Sequence, residues 1–231
     1  MRTRSLTSYR LASGLLALLI AMAGAVFAGP PLICHAFDIG SAKSLPWISH
    51  SWNLTGSESY DTSKLASDTL TILVADSTVL VHMETLRRAT LYARKDPAAA
   101  KDLLIRLTAG TKSAQAGAPP ALYYFDVGYL AETYKQWLGN TQNPAQGIDG
   151  YALVKQAIQL RGQDAQMEFA AALISLSGPV SEHGDHVQRA MGGSKSDPLL
   201  ARNLASHFMG EQGQTLAELL TQPYAARETK P

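Results

Sequence analysis

Residues 120–138 read Pro-Ala-Leu-Tyr-Tyr-Phe-Asp-Val-Gly-Tyr-Leu-Ala-Glu-Thr-Tyr-Lys-Gln-Trp-Leu. Apolar side chains recur in this stretch at three- and four-residue intervals, which place them on one face of a helix. The proline stands where the first helical turn does not need a backbone N–H, and Gly139 follows as a typical helix end. The stretch therefore predicts a long helix, and six of its side chains are aromatic.

Similar signals occur on both sides of this helix. Asp96-Pro97 and Asp197-Pro198 each place a capping aspartate before a proline at the first helical position. Gly162 and Gly178-Pro179 are typical helix ends. We therefore predict an all-α domain over residues 62–221. Its helices are predicted to form antiparallel pairs at residues 62–76 and 78–95, 97–113 and 120–138, 149–161 and 164–177, and 181–191 and 198–208.

Consecutive antiparallel helix pairs of this length build α-solenoids or irregular helical arrays. The pattern resembles that of tetratricopeptide-like helix pairs, most clearly from Tyr151-Ala152 through Ala170-Ala171. It lacks the Trp-Leu-Gly signature of that family, and the starts of the pairs are unevenly spaced. A plain helical bundle fits the pattern equally well.

The first 28 residues differ in composition from the rest of the chain. Three arginines are followed by an uncharged, leucine-rich stretch, and Ala25-Val26-Phe27-Ala28 has the small residues of a signal-peptidase site. We expect a cleaved signal peptide at residues 1–28 and a periplasmic or secreted protein. An uncleaved anchor is the alternative, because the apolar stretch is at the short end of a membrane span.

Composition and charge narrow the class of protein. The chain carries 20 Lys and Arg against 19 Asp and Glu, and removal of residues 1–28 would leave it mildly acidic. Proteins that mainly hold nucleic acids carry a basic excess, so we expect no nucleic-acid partner. No stretch after residue 28 is apolar enough to span a membrane. The single cysteine excludes an intramolecular disulfide and a multi-cysteine metal cage.

Residues 29–61 are rich in glycine, proline, serine and aromatic residues and lack a helical period. We expect an irregular arm there, anchored on the helices by Trp47 and Trp52, and a tail at residues 222–231. The arm opens with Gly29-Pro30-Pro31-Leu32-Ile33-Cys34-His35. This opening resembles the start of a group of uncharacterised exported bacterial proteins. The resemblance implies export and brings no activity with it.

Cys34 and His35 are the most unusual neighbours in the arm. A lone thiol in an oxidising compartment is expected to be buried, paired between chains, or used in chemistry. Together with His35, and with His50 further along the loop, it could hold copper, zinc or haem iron. The simpler interpretation is a buried structural cysteine.

A second cluster of possible metal ligands is Glu182-His183-Gly184-Asp185-His186, whose two histidines are three residues apart on one side of a helical turn. That spacing can hold a metal ion, but it is also typical of a polar helix start. No distant third ligand can be assigned. Glu84, Arg87 and Arg88 are expected on a solvated helix face, with one i,i+4 pair between Glu84 and Arg88.

The aromatic helix 120–138 carries the functional prediction. Its aromatic side chains are too many for one face, so some are expected to line a second surface, and Gly128 would let a neighbouring element approach closely. Tyrosine and tryptophan are frequent anchors of binding surfaces. The predicted partner-binding residues are Tyr124, Tyr129, Tyr134 and Trp137.

No Gly-x-Ser-x-Gly, phosphate loop or His-Glu-x-x-His motif is present. The sequence therefore assigns no catalytic residue and no cofactor. We predict a helical interaction or scaffold module that binds a protein or peptide. The alternative from another class is metal or haem binding by the arm through Cys34 and His35.

Overall fold

A computed structural model describes residues 29–48, 54, 56–113, 121–177 and 180–208. Within these ranges every regular element is helical and no strand occurs, so the all-α prediction is confirmed. After a 3₁₀ turn at Thr62–Lys64, the α-helices are α1 Leu65–Ile72, α2 Val79–Ala93, α3 Pro97–Ser113, α4 Ala121–Trp137, α5 Gly139–Gln142, α6 Gly150–Arg161, α7 Ala165–Ser175, α8 Val180–Gly193 and α9 Pro198–Phe208.

Local capping signals explain where several helices begin and end. Asp96 accepts a hydrogen bond from the Ala99 N–H at the start of α3, and Asp197 caps α9 in the same way. Gly162 ends α6 with a φ of 73°, a conformation that glycine adopts without strain. Gly139 also has a positive φ, but it is the first residue of the short helix α5, where the sequence predicted only a helix end.

All four predicted helix pairs pack together, but the closest packing lies elsewhere. Helix α4 packs mainly on α6, and α7 packs mainly on α8. Gly128 and Gly150 lie where α4 crosses α6, and a Cβ on Gly128 would be 2.6 Å from the carbonyl oxygen of Gly150. The close approach predicted at Gly128 is therefore confirmed, because a larger residue would push the two helices apart.

Helices α2 and α4 lie side by side and run in the same direction. His82 contacts Asp126 near their starts, and Arg94 lies over Trp137 at their ends. Helix α3 connects the end of α2 to the start of α4, so it runs in the opposite direction. An arrangement in which every second helix runs in the same direction is typical of stacked helix pairs.

The arm belongs to the hydrophobic core. Its buried apolar side chains are Leu32, Ile33, Phe37 and Leu45. The Leu32 N–H donates a hydrogen bond to Gln136 in α4, and the Asp38 N–H donates one to Asn203 in α9. Residues 29–48, which contain no helix or strand, thus join early and late helices into a closed helical array.

Trp47 packs on the helices as predicted, with its ring centre 5.9 Å from that of Tyr92. Among the described residues, no helix has the length and apolar character needed to cross a membrane. Several predicted features lie outside the described residues, namely the signal peptide at 1–28, Trp52, the end of the helical domain up to residue 221, and the tail at 222–231.

Candidate functional site

The structure divides the predicted binding aromatics of α4 between the core and the surface. Tyr129 and Tyr134 are completely buried, and the Tyr134 hydroxyl donates a hydrogen bond to the carbonyl of Ala100 in α3. Neither side chain can touch a partner from this position. The reason is that α4 is covered by neighbouring helices on several faces, which the sequence of α4 alone does not show.

Tyr124 and Trp137 are half-buried and reach the surface. They are 13 residues apart in α4, which corresponds to about 20 Å along a helix axis. The structure therefore does not bring the predicted aromatic residues together as one surface. Tyr124 lies near the start of the helix and Trp137 at its end.

The end of α4 combines an aromatic ring with two cations from the end of α2. The Arg94 guanidinium lies 4.7 Å from the centre of the Trp137 ring, which is a cation–π contact. Lys95 follows Arg94, and both side chains are exposed. We call these three residues, Arg94, Lys95 and Trp137, the Trp137 patch.

The two cations of the Trp137 patch are free to bind an anionic group. Within the described part of the chain, neither Arg94 nor Lys95 has a carboxylate within 4.0 Å. The neighbouring carboxylate of Asp96 is engaged by the Thr62 hydroxyl and by the α3 cap. The patch is therefore a surface with uncompensated positive charge beside an aromatic ring.

The indole N–H of Trp137 has no hydrogen-bond partner among the described residues, although the atom is covered from solvent. An unpaired buried donor costs about 1–3 kcal/mol, and such donors are rare in folded proteins. The indole is thus held by packing and by Arg94 alone.

The structure describes two of the three predicted metal ligands of the arm, Cys34 and His35. His50 lies outside the described residues. Burial raises the pKa of the Cys34 thiol, although Arg87 opposes this, so the protonated thiol is favoured over the thiolate that binds metals. Among the described residues, no group of three or more His, Cys, Asp or Glu side chains is arranged to hold a metal ion. Copper, zinc or haem binding stays a prediction.

The imidazoles of His183 and His186 contact polar groups on other helices. His186 lies between a carboxylate and a hydroxyl, with Nδ1 2.5 Å from Glu168 and Nε2 2.7 Å from the Tyr151 hydroxyl. His183 Nδ1 lies 2.9 Å from the carbonyl oxygen of Ala172. These contacts tie α6, α7 and α8 together, so the cluster has a structural explanation.

Glu84 on α2 is completely buried, although its predicted i,i+4 pair with Arg88 is present. Arg87 donates two hydrogen bonds to its carboxylate, at 2.8 and 3.0 Å, and Arg88 donates a third at 2.6 Å. Burial alone would raise the pKa of Glu84, but the bonds and charges of these arginines lower it. The prediction of a solvated face was wrong. The available signal was that α2 has apolar residues on every side, which is typical of a buried helix.

Glu84, Arg87 and Arg88 form what we call the arm clamp. Besides binding Glu84, Arg87 donates to the carbonyl of Ile33 at 3.0 Å, and Arg88 donates to the carbonyl of Leu45 at 2.6 Å. The charged groups therefore satisfy one another and hold the arm on α2.

No protein-family model, curated protein or solved structure matches this chain. No activity or partner can therefore be transferred to it from a relative. Of the predicted binding residues, Trp137 is the one whose surroundings point to a ligand.

Proposed function

We propose that this chain is an exported helical module that binds a protein or peptide partner through the Trp137 patch. The observation that carries the proposal is the surface cation–π pair of Arg94 and Trp137. Tryptophan and arginine are the residues that most often supply binding energy at protein interfaces. Export is supported by the composition of residues 1–28.

The charge of the patch favours an acidic partner segment. Arg94 and Lys95 present two cations side by side at the surface, and a partner carboxylate would compensate them. The Trp137 ring would pack against an apolar side chain next to that carboxylate. We therefore expect a segment with an Asp or Glu beside an aliphatic or aromatic residue.

An array of synthetic ten-residue peptides tests this proposal. The array contains peptides that combine acidic and apolar residues, together with their Lys-for-Glu counterparts. We expect the protein to bind the acidic peptides, and Arg94→Ala or Trp137→Ala to weaken binding about tenfold or more. Binding should also weaken with added salt, because exposed charges are screened.

Tyr123→Ala is the matched control, because Tyr123 is an exposed aromatic residue at the other end of α4. This variant should bind as the unchanged protein does. Circular dichroism shows whether each variant is folded. Equal binding of acidic and basic peptides, or full binding by Arg94→Ala, would contradict the proposal.

A further inference from the structure

Ser77, His82 and Asp126 form a chain of contacts from the interior to the surface. Asp126 Oδ1 lies 2.6 Å from His82 Nδ1, and both side chains are almost completely buried. His82 Nε2 lies 2.7 Å from the Ser77 Oγ. Ser77 is half-buried and stands just before the start of α2. A buried carboxylate is thus connected through one imidazole to a hydroxyl near solvent.

Serine hydrolases use these three groups in the same order. The carboxylate binds Nδ1 and orients the ring, so that Nε2 can take the proton of the serine hydroxyl. Such sites are recognised by geometry and not by fold or chain order. We propose that Ser77, His82 and Asp126 form an acyl-transfer site that hydrolyses small carboxylic esters.

The surroundings of Asp126 suit this role. Among the described residues, His82 is its one ionic partner. Complete burial raises the pKa of Asp126, and the hydrogen bond with His82 opposes the rise. An imidazolium formed when His82 takes a proton from Ser77 would therefore lie beside a carboxylate that has no competing cation.

The start of α2 can stabilise the negative charge of the reaction. Within the described part of the chain, the N–H groups of Thr78 and Val79 donate to no acceptor. The next two N–H groups have acceptors: that of Leu80 donates to the Gln166 side chain, and that of Val81 donates to the Thr78 side chain. The free N–H groups follow Ser77 directly: Thr78 is the N-cap and Val79 the first residue of a 15-residue helix, whose dipole favours an anion at this end.

The reaction needs only an ester and water. Ser77 Oγ attacks the ester carbonyl carbon while its proton passes to His82 Nε2. The bond to the alkoxy oxygen then breaks, and His82 returns the proton to the leaving alcohol. Water attacks the acyl-Ser77 ester with His82 as base, which releases the carboxylic acid and restores the serine.

The Ser77 hydroxyl also has two backbone acceptors. Its Oγ lies 2.7 Å from the carbonyl oxygen of Val74 and 3.2 Å from that of Ile72, so a proton donated there would close the turn and leave His82 without the serine proton. His82 Nε2 also lies 3.3 Å from the Val74 carbonyl oxygen. Val74 itself is half-exposed, and Ser77 is half-buried. We therefore expect a short ester as substrate. The test must distinguish a reactive Ser77 from a serine that only closes the turn.

Two measurements on the purified full chain provide that test. The first is hydrolysis of 4-nitrophenyl acetate, and the second is labelling with a fluorophosphonate probe followed by peptide mass spectrometry. We expect turnover and an adduct on Ser77, with the rate lowered on the order of 10³-fold or more in Ser77→Ala. Ser67→Ala is the control, since Ser67 is an exposed serine that donates to the backbone carbonyl of Lys64.

Asp126 acts through His82, so it is a positioning residue. Asp126→Asn should keep the ring in place but favour the wrong tautomer, which lowers kcat on the order of 10³-fold with KM unchanged. If Asp126 had only a structural role, its substitution would not lower kcat while leaving KM unchanged. No adduct at Ser77, or hydrolysis by folded Ser77→Ala at the unchanged rate, overturns the proposal. If Ser77→Ala does not fold, the position of the adduct in the unchanged chain decides.

Discussion

Two buried carboxylates, Glu84 on α2 and Asp126 on α4, differ in the groups that balance their charge. Glu84 is bound by Arg87 and Arg88, which cannot lose their protons, and both arginines continue to backbone carbonyls of the arm. Asp126 is bound by one imidazole, which can be neutral, and that imidazole continues to a hydroxyl near the surface. Burial of a carboxylate therefore does not by itself indicate function.

The largest expected effect is that of Glu84→Gln. The amide cannot balance Arg87, which would remain charged in the interior, and breaking a buried ion pair from one side costs about 3–5 kcal/mol. Urea unfolding at pH 7 measures this loss. Asp102→Asn is the control, because Asp102 pairs with Arg106 at the surface and should change stability by less than about 1 kcal/mol.

His207 in α9 is a titratable group that contacts the arm. Its ring stacks on that of Phe37, with 4.8 Å between the ring centres. Burial, with His35 and Arg87, lowers the pKa of His207 from 6.5 to about 4, against the hydrogen bond to the carbonyl of Asn203. The unfolded chain therefore binds a proton below about pH 6.5 that the folded chain does not bind until about pH 4.

Stability should consequently fall as the pH is lowered through this window, by about 1–2 kcal/mol once partial exposure of the ring is allowed for. Urea midpoints at pH 7 and at pH 4.5 measure the difference. His207→Asn keeps a donor near the Asn203 carbonyl but does not titrate, so its two midpoints should lie closer together. An equally steep fall in this variant would show that another group is responsible.

Asp126→Asn is expected to have the smallest effect on stability, at about 1 kcal/mol or less. The substitution introduces no charge, and the amide can still form a hydrogen bond with the His82 ring. The same urea experiment at pH 7 gives the value. A loss as large as that of Glu84→Gln would mean that Asp126 and His82 form a fixed ion pair, and the contrast between the two carboxylates would disappear.

Local features of the fold could be predicted from the sequence because they depend on neighbouring residues. Asp96 and Asp197 cap the helices that follow them, and Gly162 ends α6. The burial of Leu32 and Ile33 could not be predicted in the same way. Both depend on helices that are distant in sequence, and an apolar residue in an irregular segment shows no period.

The candidate sites were harder to predict for a related reason. Whether Tyr129 or Trp137 reaches the surface depends on where α3 and α6 cover α4, and not on the sequence of α4. Ser77 and His82 are 5 residues apart, but Asp126 is 44 residues from His82. No short motif contains all three, because they meet through the parallel packing of α2 on α4.

The position of the arm has a consequence for the order of folding. Its hydrogen bonds to Gln136 and Asn203 span 104 and 165 residues, so the first cannot form before α4 is synthesised and the second cannot form before α9 is. Helix pairs form from local contacts and fold quickly, whereas distant contacts form slowly. The first part of the array to be synthesised is therefore the last to dock, and Leu32 and Ile33 are open to aggregation until it does.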